Sequence, residues 1–272
     1  MKKWLVLILI IVAAALILPI SQAARNLSAD KSSPDLEETI GGKVVEDTDK
    51  DIDNIPLEED NIEEVIDYLA DTTFEDEDGK LILKNTDDIL VLVNKERNLP
   101  SDYIPSDLVV PNIKFSFDEV IDKRHLRKEA AQALEQMFEK AENSNIILYG
   151  VSGYRSYKTQ KYLFDNKVNK VGEYEANLLV ARPGQSEHQT GLAIDISSKS
   201  ANFSLIEDFG QTVEGQWVNE NAHRFGFIIR YKEDTTHITG YSFEPWHIRY
   251  VGIDMAEDIF EKNLTLEEYL SK

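Results

Sequence analysis

The sequence contains no cysteine, so no disulfide braces the fold and no thiolate serves as nucleophile or metal ligand. Any metal site must use His, Asp and Glu, and histidine is itself scarce, with five in 272 residues. Basic residues are also few: 29 Lys and Arg face 50 Asp and Glu, for a net charge of −21. That balance excludes a nucleic-acid partner held on a basic face. Several hydrolase signatures are missing as well. There is no G-x-S-x-G and no H-E-x-x-H, which argues against α/β-hydrolases and thermolysin-like proteases. The single S-x-x-K, Ser28-Ala29-Asp30-Lys31, falls in a polar stretch, and Lys158-Thr159-Gln160 is not the K-T-G that serine-type peptidoglycan enzymes require. With 42% hydrophobic and 9% aromatic residues, the chain still has enough apolar material for a packed core.

The acidity is concentrated. Residues 30–79 hold twenty Asp or Glu against Lys31, Lys43 and Lys50, most of the net charge. Scattered single apolar residues there cannot offset chain entropy, so residues 24–79 are expected to be an acidic, largely disordered spacer with one short helix over Asn61–Ala70. The run Glu75-Asp76-Glu77-Asp78-Gly79 lacks the closing glutamate of a calcium loop and reads as solvated charge. Ahead of the spacer, Lys2 and Lys3 precede an apolar run from Trp4 to Ile20, and Ser21-Gln22-Ala23 fits a small-x-small cleavage site. Residues 1–23 are therefore expected to be a signal peptide or an N-terminal membrane anchor through residues 4–20, making the protein exported, anchored or secreted. Residues 80–272 form the expected folded domain.

Within that domain Ile89–Asn94 (ILVLVN), Asn145–Val151 (NIILYGV), Gly191–Ser197 (GLAIDIS) and Trp246–Val251 (WHIRYV) read as strands. Leu126–Asn143 places Ala130, Leu134, Met137, Phe138 and Ala141 at helical spacing. Ser156 caps a second predicted helix from Tyr157 to about Asn169, and Gly252–Asn263 a third, with Ile253, Ala256, Ile259 and Phe260 inward. Helices and strands without regular β-α-β spacing predict an α+β fold with a small antiparallel sheet flanked by helices.

Two clusters carry chemistry. In GLAIDIS the alternation places Asp195 on the face opposite Ile194 and Ile196, half-buried, where a carboxylate needs a cation, several donors or a metal. His188 lies seven residues earlier, beyond Gly191, close enough for a turn to bring it back. In FEPWHIRY, Glu244 and His247 are three apart around Pro245, which forbids a regular ladder and lets a kink turn both groups into one cleft. Two imidazoles and a carboxylate bind Zn²⁺ with one position left for water, and a further glutamate takes that water's proton. A plain structural histidine, and a Glu244–Arg249 ion pair, are the simpler readings of each piece alone. His223 and His237 read either as hydrogen-bond donors behind the metal ligands or as plain loop residues, the loop reading being favoured for His237; His125 reads as solvent-facing, and Trp217 and Trp246 as core or cleft walls.

The runs Ser152-Gly153-Tyr154-Arg155-Ser156, Ser186-Glu187-His188-Gln189-Thr190-Gly191-Leu192-Ala193-Ile194-Asp195 and Glu244-Pro245-Trp246-His247 resemble, in order and spacing, the three signatures of VanY-type zinc D-alanyl-D-alanine carboxypeptidases, the LAS-type metallopeptidases. The resemblance covers roughly residues 85–270. It implies one Zn²⁺ per chain held by His188, Asp195 and His247 in a cleft on the sheet of a Hedgehog/DD-peptidase-like fold. It also implies Glu244 as catalytic base, and Arg155, Gln160 and Ser186 as contacts for the substrate's terminal peptide and carboxylate. The partner so implied is the peptidoglycan stem peptide, trimmed of its terminal D-alanine at the cell wall; for the chain's own assembly a monomer is the default expectation. An L,D-carboxypeptidase acting on tetrapeptide stems shares the same motifs, and a catalytically silent wall-binding module would keep the fold; the intact Glu244 weighs against the latter.

Overall fold

The computed structural model describes residues 68–271. The apolar run 4–20, the spacer up to residue 67 and most of the helix expected over 61–70 lie outside them. Among the described residues no helix is long and apolar enough to cross a membrane.

The described chain opens with one helical turn, α1 (Tyr68–Asp71), followed by a hairpin of β1 (Thr73–Glu75) and β2 (Leu81–Leu83). The acidic run makes the hairpin turn. Asp76 Oδ1 accepts the backbone N–H groups of Asp78 and Lys80, and Gly79 takes φ 78°, as Asx-type turns do. Paired backbone thus begins upstream of the expected boundary at Lys80, because those aspartates are turn formers here. β3 (Arg97–Asn98) joins β2 in parallel.

Ile89–Asn94 is not a strand, although Val91, Leu92 and Val93 are buried. Its carbonyls are taken by side chains: Arg249 Nη2 donates to Ile89 and Val91, and Arg97 Nε to Leu92. The apolar run that suggested a strand is real, but guanidinium groups replace the neighbouring strand as partners for its buried carbonyls.

β4 (Leu108–Val109) pairs with β5 (Leu126–Arg127), which runs directly into α2 (Lys128–Asn143). As its spacing predicts, α2 buries Ala130, Leu134, Met137, Phe138 and Ala141, with Ala131 beside them. At the centre is a four-stranded antiparallel sheet of β6 (Tyr149–Ser152), β7 (Ala193–Ser197), β8 (Phe227–Ile229) and β9 (His247–Tyr250), in spatial order β6-β7-β9-β8. Only three residues of Phe227-Ile228-Ile229 pair, too few for a period to be read, and β8 was not expected. On one face Ile194, Ile196 and Ile248 are sealed in the core with Leu134 and Met137. Each such side chain contributes about 1.5–3 kcal/mol relative to exposure.

The helices α3 (Tyr157–Val171), α4 (Glu173–Leu179), α5 (Val213–Asn221), α6 (Thr236–Thr239), α7 (Ile253–Glu261) and α8 (Leu266–Leu270) surround the sheet. Ser156 Oγ accepts the Thr159 N–H and caps α3 as expected. In α7, Ala256 and Ile259 face inward, but Ile253 and Phe260 are 50% and 44% exposed. Phe260 instead stacks on the ring of His223, centroids 3.7 Å apart. The architecture is the predicted one, α+β with a small antiparallel sheet flanked by helices.

Candidate metal centre

The register of the central sheet sets Asp195 opposite His247 on β9 and opposite Ser152 on β6. Because alternate residues share a face, one polar row crosses three strands while their isoleucines turn to the core. Asp195 is only 4% exposed. His247 Nδ1 lies 3.0 Å from its Oδ1. His188 arrives from the other side, on a 3₁₀ turn over Glu187–Thr190 that ends at Gly191 in the left-handed region, φ 67°. A Cβ at Gly191 would stand 2.8 Å from Leu108 Cδ2 and 3.1 Å from Arg127 Cγ, so both the backbone angle and the space require glycine. The turn brings His188 Nε2 to 3.3 Å from Asp195 Oδ2.

Each imidazole has its remaining nitrogen occupied. His188 Nδ1 donates to the Gly153 carbonyl at 2.8 Å, and His247 Nε2 faces Glu187 Oε2 at 3.4 Å. With those nitrogens protonated, the lone pairs left are Nε2 of His188 and Nδ1 of His247, both facing Asp195. One donor atom from each of the three residues falls within a 4.8 Å span, and the rings stand nearly perpendicular, at 82°. A tetrahedral zinc with bonds of about 2.0–2.1 Å keeps its ligand atoms about 3.3–3.5 Å apart. Two imidazole nitrogens and a carboxylate gathered within that 4.8 Å span supply the nitrogen and oxygen donors such an ion takes, and three ligands leave a coordination position open.

Glu187 was not singled out from the sequence as a site residue. Its side chain is completely buried and accepts from Arg230 Nε and Arg249 Nη1, each at 2.7 Å, besides facing His247. Arg230 holds Glu267 of α8 with its other two nitrogens, at 2.8 and 2.7 Å. Arg249 therefore pairs with Glu187, not with Glu244. The available signal was two arginines inside apolar runs, in FIIRY and HIRY, each needing a buried carboxylate.

The electrostatics follow from these contacts. Burial would raise the Asp195 carboxyl, but the two histidines hold it well below the usual range. Burial likewise opposes ionisation of Glu187, and Arg230 and Arg249 overcome it. His188 is lowered, chiefly by burial. In His247 burial is outweighed by hydrogen bonds to Asp195 and Glu187, which push its pKa up to about 9.

Glu244 enters the same cleft through the turn that Pro245 imposes, in which the His247 N–H donates to the Glu244 carbonyl at 3.1 Å. Burial raises the half-buried Glu244 carboxyl to about 7, with His247 and Arg155 pulling the other way and Asp195 adding to the rise. Arg155, at the β6–α3 junction, donates its backbone N–H to the His188 carbonyl at 3.1 Å. Its Nη1 reaches Gln160 Oε1 at 2.9 Å, its Nη2 reaches Ser152 Oγ at 3.1 Å, and Nη2 lies 3.8 Å from Asp195 Oδ2. Gln160 is fixed in turn by donating to the Ala181 carbonyl at 2.7 Å. Arg155, Gln160, Ser186, His188, Asp195, Glu244 and His247 all line one cleft of about 660 Å³, with Tyr231, Tyr241 and Trp246 among its walls. Tyr231 stacks on His247, centroids 5.0 Å apart. The other histidines stay out of it: His125 donates to the Asp122 carbonyl, His223 lies against Phe260, and His237 is exposed on α6. Trp217 packs against the core.

Comparison with known proteins agrees with this geometry. The family model VanY, D-alanyl-D-alanine carboxypeptidase, matches residues 123–253. The chain is 54% identical over 195 residues to YodJ, a candidate carboxypeptidase of Bacillus subtilis (strain 168), covering 72% of this chain and 71% of YodJ. Among solved structures it is similar to the LdcB LD-carboxypeptidase, at 53% identity and a TM-score of 0.71, over 74% of this chain and 94% of LdcB. It is also similar to a variant of the vancomycin-resistance D,D-pentapeptidase VanY in complex with Zn(II), at 36% identity and a TM-score of 0.55, over 66% of this chain and 98% of that one. Sheet register, turn glycine and sequence similarity converge on one assignment: the chain is a carboxypeptidase of the VanY D-alanyl-D-alanine carboxypeptidase family.

Proposed function

We propose that the protein is a zinc-dependent carboxypeptidase that removes the terminal D-alanine from peptidoglycan stem peptides on the outer side of the membrane, either released or anchored through residues 4–20. The observation that carries this reading is the meeting, in one cleft, of the His188–Asp195–His247 donor set with the half-buried Glu244 and the guanidinium of Arg155. A zinc ion bound by those three side chains would polarise the scissile carbonyl and acidify a water near neutral pH. Glu244, with its carboxyl raised to about 7, takes the proton of the attacking water and passes it to the leaving amine. Arg155 offers a planar pair of donors to the free terminal carboxylate. Gln160 holds the guanidinium in position, and Ser186 faces the terminal peptide. No acyl-enzyme forms.

The residue preceding the terminal D-alanine distinguishes two substrates. The higher identity to an L,D-carboxypeptidase than to a D,D-pentapeptidase favours tetrapeptide stems, in which that residue has an L-configured α-carbon beside the cleaved carbonyl, over pentapeptides ending in D-alanyl-D-alanine. The purified chain is expected to release D-alanine from synthetic stems, to lose this activity with a chelator and to regain it with Zn²⁺. Comparing tetrapeptide and pentapeptide rates separates the two substrates. Binding of stems without release of D-alanine by the zinc-loaded protein would instead support a silent wall-binding module.

A further inference from the structure

The cleft continues beyond the metal cluster along α3, where Lys167 and Lys170 line it. Lys167 is seven residues from Gln160, two turns on, and so shares its helix face. Away from the metal cluster the lining holds no acidic side chain, since its three carboxylates are Glu187, Asp195 and Glu244. On the same helix Lys161 is paired, with Asp165 at 2.7 Å. Among the described residues no carboxylate lies within ion-pair distance of Lys167 or Lys170. In a chain with net charge −21, this wall is a local inversion of sign. Two ammonium groups one turn apart also repel each other unless an anion sits between them.

Distance indicates what that anion would be. α3 rises about 1.5 Å per residue, so the two lysines lie about 10 and 15 Å along the axis from Gln160, the residue that holds the Arg155 carboxylate anchor. An extended peptide advances about 3.3 Å per residue, which puts them roughly three to five residues from the terminal carboxylate.

We propose that Lys167 and Lys170 form a subsite for a free carboxylate carried by the peptide upstream of the scissile bond. This rests on reading the cleft as a carboxypeptidase site. Stem peptides with a γ-linked D-glutamyl residue carry such an α-carboxylate, and their amidated forms do not.

The test measures D-alanine release by the zinc-loaded full chain from L-Ala-γ-D-Glu-L-Lys-D-Ala and from the same peptide with the D-glutamyl α-carboxylate converted to carboxamide. Both are also assayed with one further D-alanine. The acid is expected to exceed the amide in kcat/KM by about fivefold to tenfold at low ionic strength, with the ratio shrinking as salt is added. In Lys167→Gln/Lys170→Gln the ratio falls to about twofold or less, and in Lys167→Glu/Lys170→Glu it inverts. Equal kcat/KM for acid and amide in the unaltered protein, or a preference that survives the double glutamine variant, overturns the subsite alone. No release from any of the four peptides overturns the carboxypeptidase reading and the subsite with it.

Discussion

Glu187 and Asp195 stand eight residues apart, both almost fully buried and both held well below the usual carboxylate range. They meet the cost of a buried charge in opposite ways. Glu187 is surrounded by permanent cations, Arg230 and Arg249, and the four-membered set with Glu267 is neutral and hydrogen-bonded throughout. Asp195 is surrounded by imidazoles, whose charge depends on what else binds them, plus a guanidinium at 3.8 Å. The first arrangement is complete without a ligand and fixes structure; the second is complete only with a proton or a metal. His247 is shared by both, Nε2 toward Glu187 and Nδ1 toward Asp195. Through it the rigid cluster orients the reactive one.

If that division holds, Glu187→Ala gives the largest loss of stability. It takes from Arg249 its carboxylate and from Arg230 one of two, Glu267 remaining, and breaking such a buried pair costs about 3–5 kcal/mol, a large share of the roughly 5–15 kcal/mol that a domain has. Asp195→Asn, compared in chelator, costs less because its neighbours neutralise by losing protons, yet it abolishes zinc retention. Denaturant unfolding of both variants checks the order. A costlier Asp195→Asn would reverse the roles assigned to the two clusters.

Next in size is Glu244→Gln. General base catalysis contributes about 10²–10⁴, so kcat falls by that factor while zinc content is unchanged. Folding raises the Glu244 carboxyl above its ordinary value; the native state therefore disfavours the carboxylate, and the neutral variant is no less stable at pH 8. A thermal melt that drops at pH 8 along with activity would mean Glu244 is structural. Metal removal comes third. Zinc at 100 times its dissociation constant adds about 2.7 kcal/mol of stability, so chelation lowers the melting temperature of the unaltered protein and leaves that of Asp195→Asn in place.

The pH profile gives a smaller effect. As the proposed base Glu244 works as the carboxylate, and its pKa is raised to about 7, so kcat/KM is expected to climb with pH toward that value, about tenfold per unit below it, and to level above. A bound dication moves the limb lower, never higher. The limb is expected to vanish in Glu244→Gln; if the residual activity of that variant keeps it, another group is titrating.

Much of the site was legible because its chemistry is local in sequence. Strand alternation in GLAIDIS announced a half-buried Asp195, which the structure buries almost fully because both faces of β7 are covered, Gly191 announced the turn, and Pro245 announced the kink that joins Glu244 to His247. What was not legible depends on distant partners. Nothing near Glu187 shows that Arg230 and Arg249, 43 and 62 residues away, will reach it. Nor does ILVLVN reveal that its carbonyls are served by arginine side chains and not by a strand. In α7, Phe260 fits the apolar stripe in sequence but lies on His223, outside the core. Periodicity identifies a face, and tertiary contacts decide how wide it is.

The smallest expected effect tests how far positioning reaches from the metal. Ser156 caps α3 through the Thr159 N–H at 3.2 Å, and α3 carries Gln160 one turn later, against Arg155. Ser156→Ala removes a cap contributing about 1 kcal/mol, so unfolding shifts modestly. It also frees the first turn of the helix that braces the Arg155 fork. KM for stem peptides should therefore rise about twofold to threefold while kcat and zinc content hold, because the loosened element braces the proposed carboxylate anchor, Arg155, and not the metal cluster. Ser156→Asp, which caps equally well, should restore both stability and KM. A fall in kcat with KM unchanged would instead mean that the α3 cap acts through the backbone bond from Arg155 to the His188 carbonyl, placing it with the metal cluster and not with the substrate anchor.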